Sequence, residues 1–135
     1  MSLKKVLIVE DSPDDQFLGK IAFRKFDQEI EVLCVFDGIE AIETLKEKKF
    51  CPDVILLDIN MPRMGGLEFL QEHCHDLNPK VPPIVVMLTS SEQESDKLKS
   101  LSYGAVKDYL IKPIAKDKIL TLVKLLDSLV GQRHI

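Results

Sequence analysis

The sequence predicts a doubly wound α/β protein, with five parallel strands in one sheet and helices on both of its faces. Three observations predict it. Short apolar runs alternate with longer segments of helical period. Those runs are near-continuous in Val, Ile and Leu, as strands buried on both faces are, instead of alternating with polar residues. Across all 135 residues there is no linker, repeat or change of composition, so 1–135 reads as a single domain with no output domain after it.

The first strand runs over 5–9, K-V-L-I-V, and ends in the acidic pair Glu10-Asp11. Ser12 is placed to cap the helix that follows, and Pro13 takes its first position, where a missing N–H costs nothing. Phe17, Leu18, Ile21, Ala22 and Phe26 then recur at helical spacing. The second strand is 30–36, I-E-V-L-C-V-F. Asp37 and Glu40 stand in capping-box order, and Ile39, Ile42 and Leu45 give the second helix its inner face.

The centre of the chain is 52–66, P-D-V-I-L-L-D-I-N-M-P-R-M-G-G. Its run 54–57 is too short for a typical helix and is bounded by Pro52 and by Pro62, Gly65 and Gly66, so it reads as a buried strand with Asp58 where it leaves the core. Leu67, Leu70 and Cys74 mark a third helix, which stops at Asn78-Pro79. The fourth strand, 84–88, finishes at Thr89-Ser90-Ser91. Helix 92–103 has Leu98, Leu101 and Tyr103 as its sizeable apolar groups, so it buries little and should be weakly held. Gly104 ends it, 107–111 is the fifth strand, and Lys112-Pro113 leads into a last helix over 116–130. The strand order expected is flavodoxin-like, 2-1-3-4-5, a (βα)5 fold whose switch point falls between the first and third strands.

The last helix carries a broad apolar stripe. Ile119, Val123, Leu126 and Val130 form a row that Leu122, Leu125 and Leu129 widen, with Leu120 outside it. Such width predicts a homodimer that meets through the fourth and fifth helices and the fifth strand.

Charge and cysteine content exclude several classes. The 22 acidic and 18 basic residues give a formal charge of −4, which argues against a surface built to bind nucleic acid or an anionic membrane. Cys34, Cys51 and Cys74 are odd in number and lack metal-ligand spacing, as expected of reduced, packed thiols in a cytoplasmic protein. No apolar stretch approaches a membrane span, and the start, Met1-Ser2-Leu3-Lys4-Lys5, is not followed by a signal-peptide pattern.

The strand ends carry the chemistry. The expected topology gathers Glu10, Asp11 and Asp58, and like charges so close raise one another's pKa unless a cation compensates. Mg²⁺ suits oxygen ligands of this kind, with the backbone carbonyl of Asn60 as a further one. Thr89 closes the fourth strand with a hydroxyl and Lys112 closes the fifth with a positive charge. A carboxylate nucleophile, a metal, a hydroxyl and a lysine suffice to make an aspartyl phosphate. No P-loop is present, and no G-x-G-x-x-G follows the first strand.

Together, Glu10-Asp11, Asp58 in D-I-N-M-P-R-M-G-G, Thr89, Tyr109 and Lys112-Pro113 resemble the receiver domain of two-component response regulators, over essentially the whole chain. The opening V-E-D-S-P-D-D-Q looks like that of stand-alone regulators paired with phytochrome-type kinases. The resemblance implies that Asp58 takes a phosphoryl group from a phosphohistidine of a sensor histidine kinase or phosphotransfer protein. It implies that Asp11, Asp58 and the Asn60 carbonyl hold Mg²⁺, with Glu10 supporting or acting through water. Lys112 would pair with Asp58 or its phosphate, Thr89 would bond a phosphoryl oxygen, Tyr109 would be a rotamer switch, and Lys112-Pro113 would be cis. Such a protein assists its own phosphorylation and dephosphorylation without being a turnover enzyme. The family often has Asp-Asp where Glu10-Asp11 stands, and Asp where Gly65 stands.

Simpler roles suit other polar residues. Asp14-Asp15 fit a solvated first helical turn matched to the helix dipole, and His73-Cys74-His75 fit helix surface and core. A rival class is the haloacid-dehalogenase-like phosphatases, for which D-I-N-M is a near miss with Asn60 in place of the general acid. The other rival is a receiver-like binding module that is never phosphorylated, against which Asp58, Thr89 and Lys112 argue.

Overall fold

The computed structural model describes residues 3–47, 50–58, 83–89 and 106–132. The expected third and fourth helices, Asn60, Gly65 and His73-Cys74-His75 lie outside them, as does the side chain of Thr89.

Strands β1 (Lys5–Val9), β2 (Glu31–Val35), β3 (Val54–Asp58), β4 (Ile84–Thr89) and β5 (Val106–Ile111) form one parallel sheet. Their order is β2-β1-β3-β4-β5, as the sequence predicts. Successive strand residues point to opposite faces, so the apolar runs feed two cores. Ile8, Leu56, Val86 and Leu88 meet Phe23 of α1 (Pro13–Phe26) and Ile119, Leu122 and Leu126 of the C-terminal helix (Lys116–Gln132). Leu7, Val9, Leu57 and Met87 meet Ala41, Ile42 and Leu45 of α2 (Gly38–Glu47) on the other face. Every residue of β3 is buried, Asp58 included, and the burial explains the uninterrupted apolar run of its first four residues.

The helix ends follow their capping residues. Ser12 Oγ accepts from the Asp15 N–H, and Pro13 opens α1. Asp37 Oδ1 accepts from the Glu40 N–H at 3.0 Å, while Glu40 Oε2 reaches back to the Phe36 N–H at 2.9 Å, one residue beyond the cap itself.

The inner face of α1 takes only part of its apolar set: Ala22 and Phe26 pack against the core beside Phe23. Phe17 and Leu18 are 63% and 55% exposed, and the buried residues are Gly19 and Phe23. A β-carbon at Gly19 would stand 3.0 Å from Ile8 Cδ1, close enough that Ile8 would have to give way, so glycine eases the approach of α1 to β1. In the C-terminal helix the extra width of the stripe goes to the core: Val123, Leu125 and Leu129 pack against the cluster that holds Ile119, Leu122 and Leu126. Leu120 is exposed.

The expectation of packed thiols holds for one cysteine and fails for another. Cys34 is half-buried, and burial pushes its thiol above the usual value while Lys20 opposes the shift. Cys51 is exposed, because it lies in the connection before Pro52 and not in β3. No helix among the described residues is long and apolar enough to cross a membrane.

Candidate functional site

The register decides which residues meet. Val9 pairs with Leu57, Asp58 with Leu88 and Thr89 with Ile111, so Glu10, Asp58, Thr89 and Lys112 all emerge at the C-terminal edge of the sheet. That edge is where open α/β sheets bind ligands.

Glu10 is fixed by its own loop. Gln16 Nε2 donates to the carbonyls of Glu10 at 2.7 Å and Val35 at 3.0 Å, tying the start of α1 to the ends of β1 and β2. Glu10 Oε1 accepts from the Ser12 N–H at 3.2 Å. The side chain is thereby held inward, 2% exposed, beside Asp58 at 6%. Glu10, Asp11 and Asp58 bring carboxylate oxygens within 4.8 Å of one another, which is the predicted acidic cluster.

Lys112 reaches the same point from β5. Its peptide bond to Pro113 is cis, as the resemblance implies. Lys118 Nζ donates to the carbonyls of Ile111 and Pro113, on either side of Lys112, and so braces that turn. Lys112 Nζ bonds Glu10 Oε2 at 2.6 Å, Asp58 Oδ2 at 2.9 Å and Asp15 Oδ2 at 3.1 Å. Asp15 is the residue that reading the sequence missed. With Ser12 as cap it occupies the third helical position, whose acid normally turns back to the cap; here it faces the lysine instead.

The electrostatics follow from burial. Burial pushes the Glu10 carboxyl up to about 8, its hydrogen bond with Asp58 adds to the shift, and Lys112 opposes it. Burial works against the charge of Lys112, but its bonds to Glu10, Asp58 and Asp15 outweigh that and hold its pKa above the ordinary range. The donor set fits Mg²⁺: hard oxygen ligands, two of them buried, on a carboxyl pair that is already short of positive charge.

Two expected contributors sit close by. Thr89 ends β4 opposite Ile111, one residue before Lys112. Tyr109 is half-buried on β5 and packs against the cluster on the α2 face.

Carboxylates collected at the strand ends of a doubly wound sheet, with a half-buried lysine bonded to three of them, define a protein that can carry a phosphoryl group beside a divalent cation. The family model of the response regulator receiver domain matches residues 6–124, and the chain belongs to that family. It is a receiver domain of the two-component response regulators, signalling proteins that histidine kinases or phosphotransfer proteins phosphorylate. Among solved structures it is similar to a two-component response regulator from Cytophaga hutchinsonii, at 27% identity over 95% of this chain and 99% of that one, with a TM-score of 0.85. It is similar to the bacteriophytochrome response regulator AtBRR, at 32% identity over 94% of each chain and a TM-score of 0.75. It also resembles the response regulator TrrA from Thermotoga maritima, solved in complex with Mg(2+)-BeF, at 26% identity over 92% of this chain and 99% of that one, with a TM-score of 0.73.

Proposed function

We propose that Asp58 is the phosphoacceptor and that phosphorylation requires Mg²⁺ held by Asp11, Asp58 and the Asn60 carbonyl, with Glu10 in support. The observation that carries this reading is Lys112 Nζ 2.9 Å from Asp58 Oδ2, inside the same cluster as Glu10 and Asp11. A carboxylate oxygen of Asp58 forms the new bond to phosphorus as the bond from phosphorus to the phosphohistidine nitrogen breaks, and that nitrogen keeps the electron pair. Negative charge accumulates on the phosphoryl oxygens. Lys112 donates to one of them and Thr89 to another, and Tyr109 changes rotamer as Thr89 is drawn in. A Mg²⁺ at the cluster supplies further neutralisation of the phosphoryl charge.

The donor is a sensor histidine kinase or phosphotransfer protein, and the likeness to AtBRR supports a phytochrome-type kinase. Output through protein contact extends to a homodimer formed by the last two helices and β5, to which exposed Leu120 of the C-terminal helix would contribute. Incubation with acetyl phosphate and Mg²⁺ tests the acceptor assignment. Intact mass should rise by one phosphate, and Asp58→Asn or chelation should abolish the gain. Labelling of Asp58→Asn at the wild-type rate overturns the assignment, multiple turnover of a phosphate ester points to the phosphatase reading, and no label at all points to an unphosphorylated module.

A further inference from the structure

We propose that Asp15, in the first turn of α1, is a positioning residue for Lys112, keeping the ammonium at the acceptor carboxylate as the site is loaded. This rests on Asp58 being the acceptor.

An ammonium has three N–H donors, and Lys112 spends them on Glu10 at 2.6 Å, Asp58 at 2.9 Å and Asp15 at 3.1 Å. Glu10 and Asp58 belong to the cluster of oxygens that can hold a cation, and Asp15 does not. A cation in the cluster draws on the same lone pairs that Lys112 uses, and a phosphoryl group on Asp58 changes that carboxylate again. Loading therefore weakens two of the three contacts and leaves the Asp15 contact in place.

The lysine has reason to need an anchor. Its stem is four flexible carbons long, and holding it in one rotamer costs entropy. Beside it lies a cavity of about 260 Å³, lined by Ile8, Leu18, Leu88 and Ile114, into which the stem has room to turn. Lys118 braces the main chain on either side of Lys112, and Asp15 restrains the tip. A simpler account gives Asp15 the role of an acid that complements the α1 dipole. Asp14 shares that turn, is exposed and is not among the partners of Lys112, so it serves as the control.

The test measures phosphorylation by acetyl phosphate at saturating Mg²⁺, together with Mg²⁺ affinity, in Asp15→Ala, Asp15→Asn and Asp14→Ala. Asp15→Ala should slow phosphorylation roughly two- to five-fold, the range a partly exposed ion pair supports. Asp15→Asn, which keeps an acceptor oxygen, should fall between Ala and wild type, and Asp14→Ala should match wild type. Mg²⁺ affinity should be unchanged in all three. In a Lys112→Met background, Asp15→Ala should have no further effect, because the two residues act as one unit. An unchanged rate in Asp15→Ala overturns the proposal, as does an equal loss in the Lys112→Met background or a Mg²⁺ affinity that falls in step with the rate. Should Lys112→Met fail to fold, the Asn variant and the Mg²⁺ titration decide the matter. Label that persists in Asp58→Asn refutes the acceptor assignment itself, whereas label lost in Asp58→Asn but indifferent to Asp15 refutes this inference alone.

Discussion

Burial and the adjoining Asp58 carboxyl raise Glu10 from the ordinary 4.5 to about 8. A carboxyl with a higher pKa in the folded state holds its proton more tightly there, so its contribution to stability is complete below about 4.5 and is lost as pH rises through about 8. Without divalent cation, the melting temperature of wild type relative to Glu10→Gln should therefore fall between about pH 5 and pH 8. A bound cation competes with the same proton, so Mg²⁺ affinity should rise across that window in wild type and stay flatter in Glu10→Gln. Parallel stability and affinity profiles for the two proteins would remove the proton from Glu10. At this scale Glu10, Asp11, Asp58 and Lys112 were legible because each closes an apolar run and the expected topology brings those ends together, whereas a lone charge at a strand end is usually a turn residue, a cap or a solvated group. Asp15 was not, because an acid in a first helical turn already has a local explanation and its partner lies 97 residues away.

Helix α1 shows how far periodicity reaches. Spacing located the helix and Ser12-Pro13 its start, but Phe17 and Leu18 recur with the same period as the buried residues, and period alone does not say which of two faces meets the sheet. The deciding residue is Gly19, which has no side chain to weigh in a hydrophobic pattern and acts by what it omits. Gly19→Val tests this. Its side chain must displace Ile8 Cδ1 within a buried core, an overpacking of the kind that costs ~1–3 kcal/mol, offset by less than ~1 kcal/mol of helix propensity. Urea unfolding should show a net loss, and Gly19→Ala should lie much closer to wild type. A Gly19→Val protein as stable as wild type would mean that α1 does not depend on this close approach. The C-terminal helix carries the converse lesson: a stripe wider than a sheet contact needs is absorbed by a core that wraps its sides, as Val123, Leu125 and Leu129 do.

Across the whole molecule the sheet divides its acids by purpose. At the N-terminal edge, Asp53 Oδ2 accepts from the Lys4 and Lys5 N–H groups at 2.9 Å each, so that carboxylate joins β1 to the start of β3. At the opposite edge Glu10, Asp11, Asp15 and Asp58 crowd together, and Lys112 serves three of them. The parallel doubly wound sheet was readable from the alternation of apolar runs, and the crowding arises in the flavodoxin-like order, one of the common ones for such a sheet, which sets the first and third strands side by side. What the crowding costs was not readable, because it depends on burial and distances. Repulsion among buried carboxylates opposes folding when no cation is bound, and the two apolar cores must offset it. Asp58→Asn removes one charge and keeps an acceptor for Lys112. In the absence of metal at about pH 8, where Glu10 loses its proton, this variant should be more stable than wild type by ~0.5–2 kcal/mol. Mg²⁺ should reverse the ranking: at a hundredfold excess over its dissociation constant it adds ~2.7 kcal/mol to wild type and much less to the variant, whose cluster has lost a ligand charge. Thermal melts with and without Mg²⁺ measure both effects. If Asp58→Asn is instead the less stable protein without metal, the attraction of Lys112 for Asp58 outweighs the repulsion among the acids, and the site supports the fold it was expected to burden.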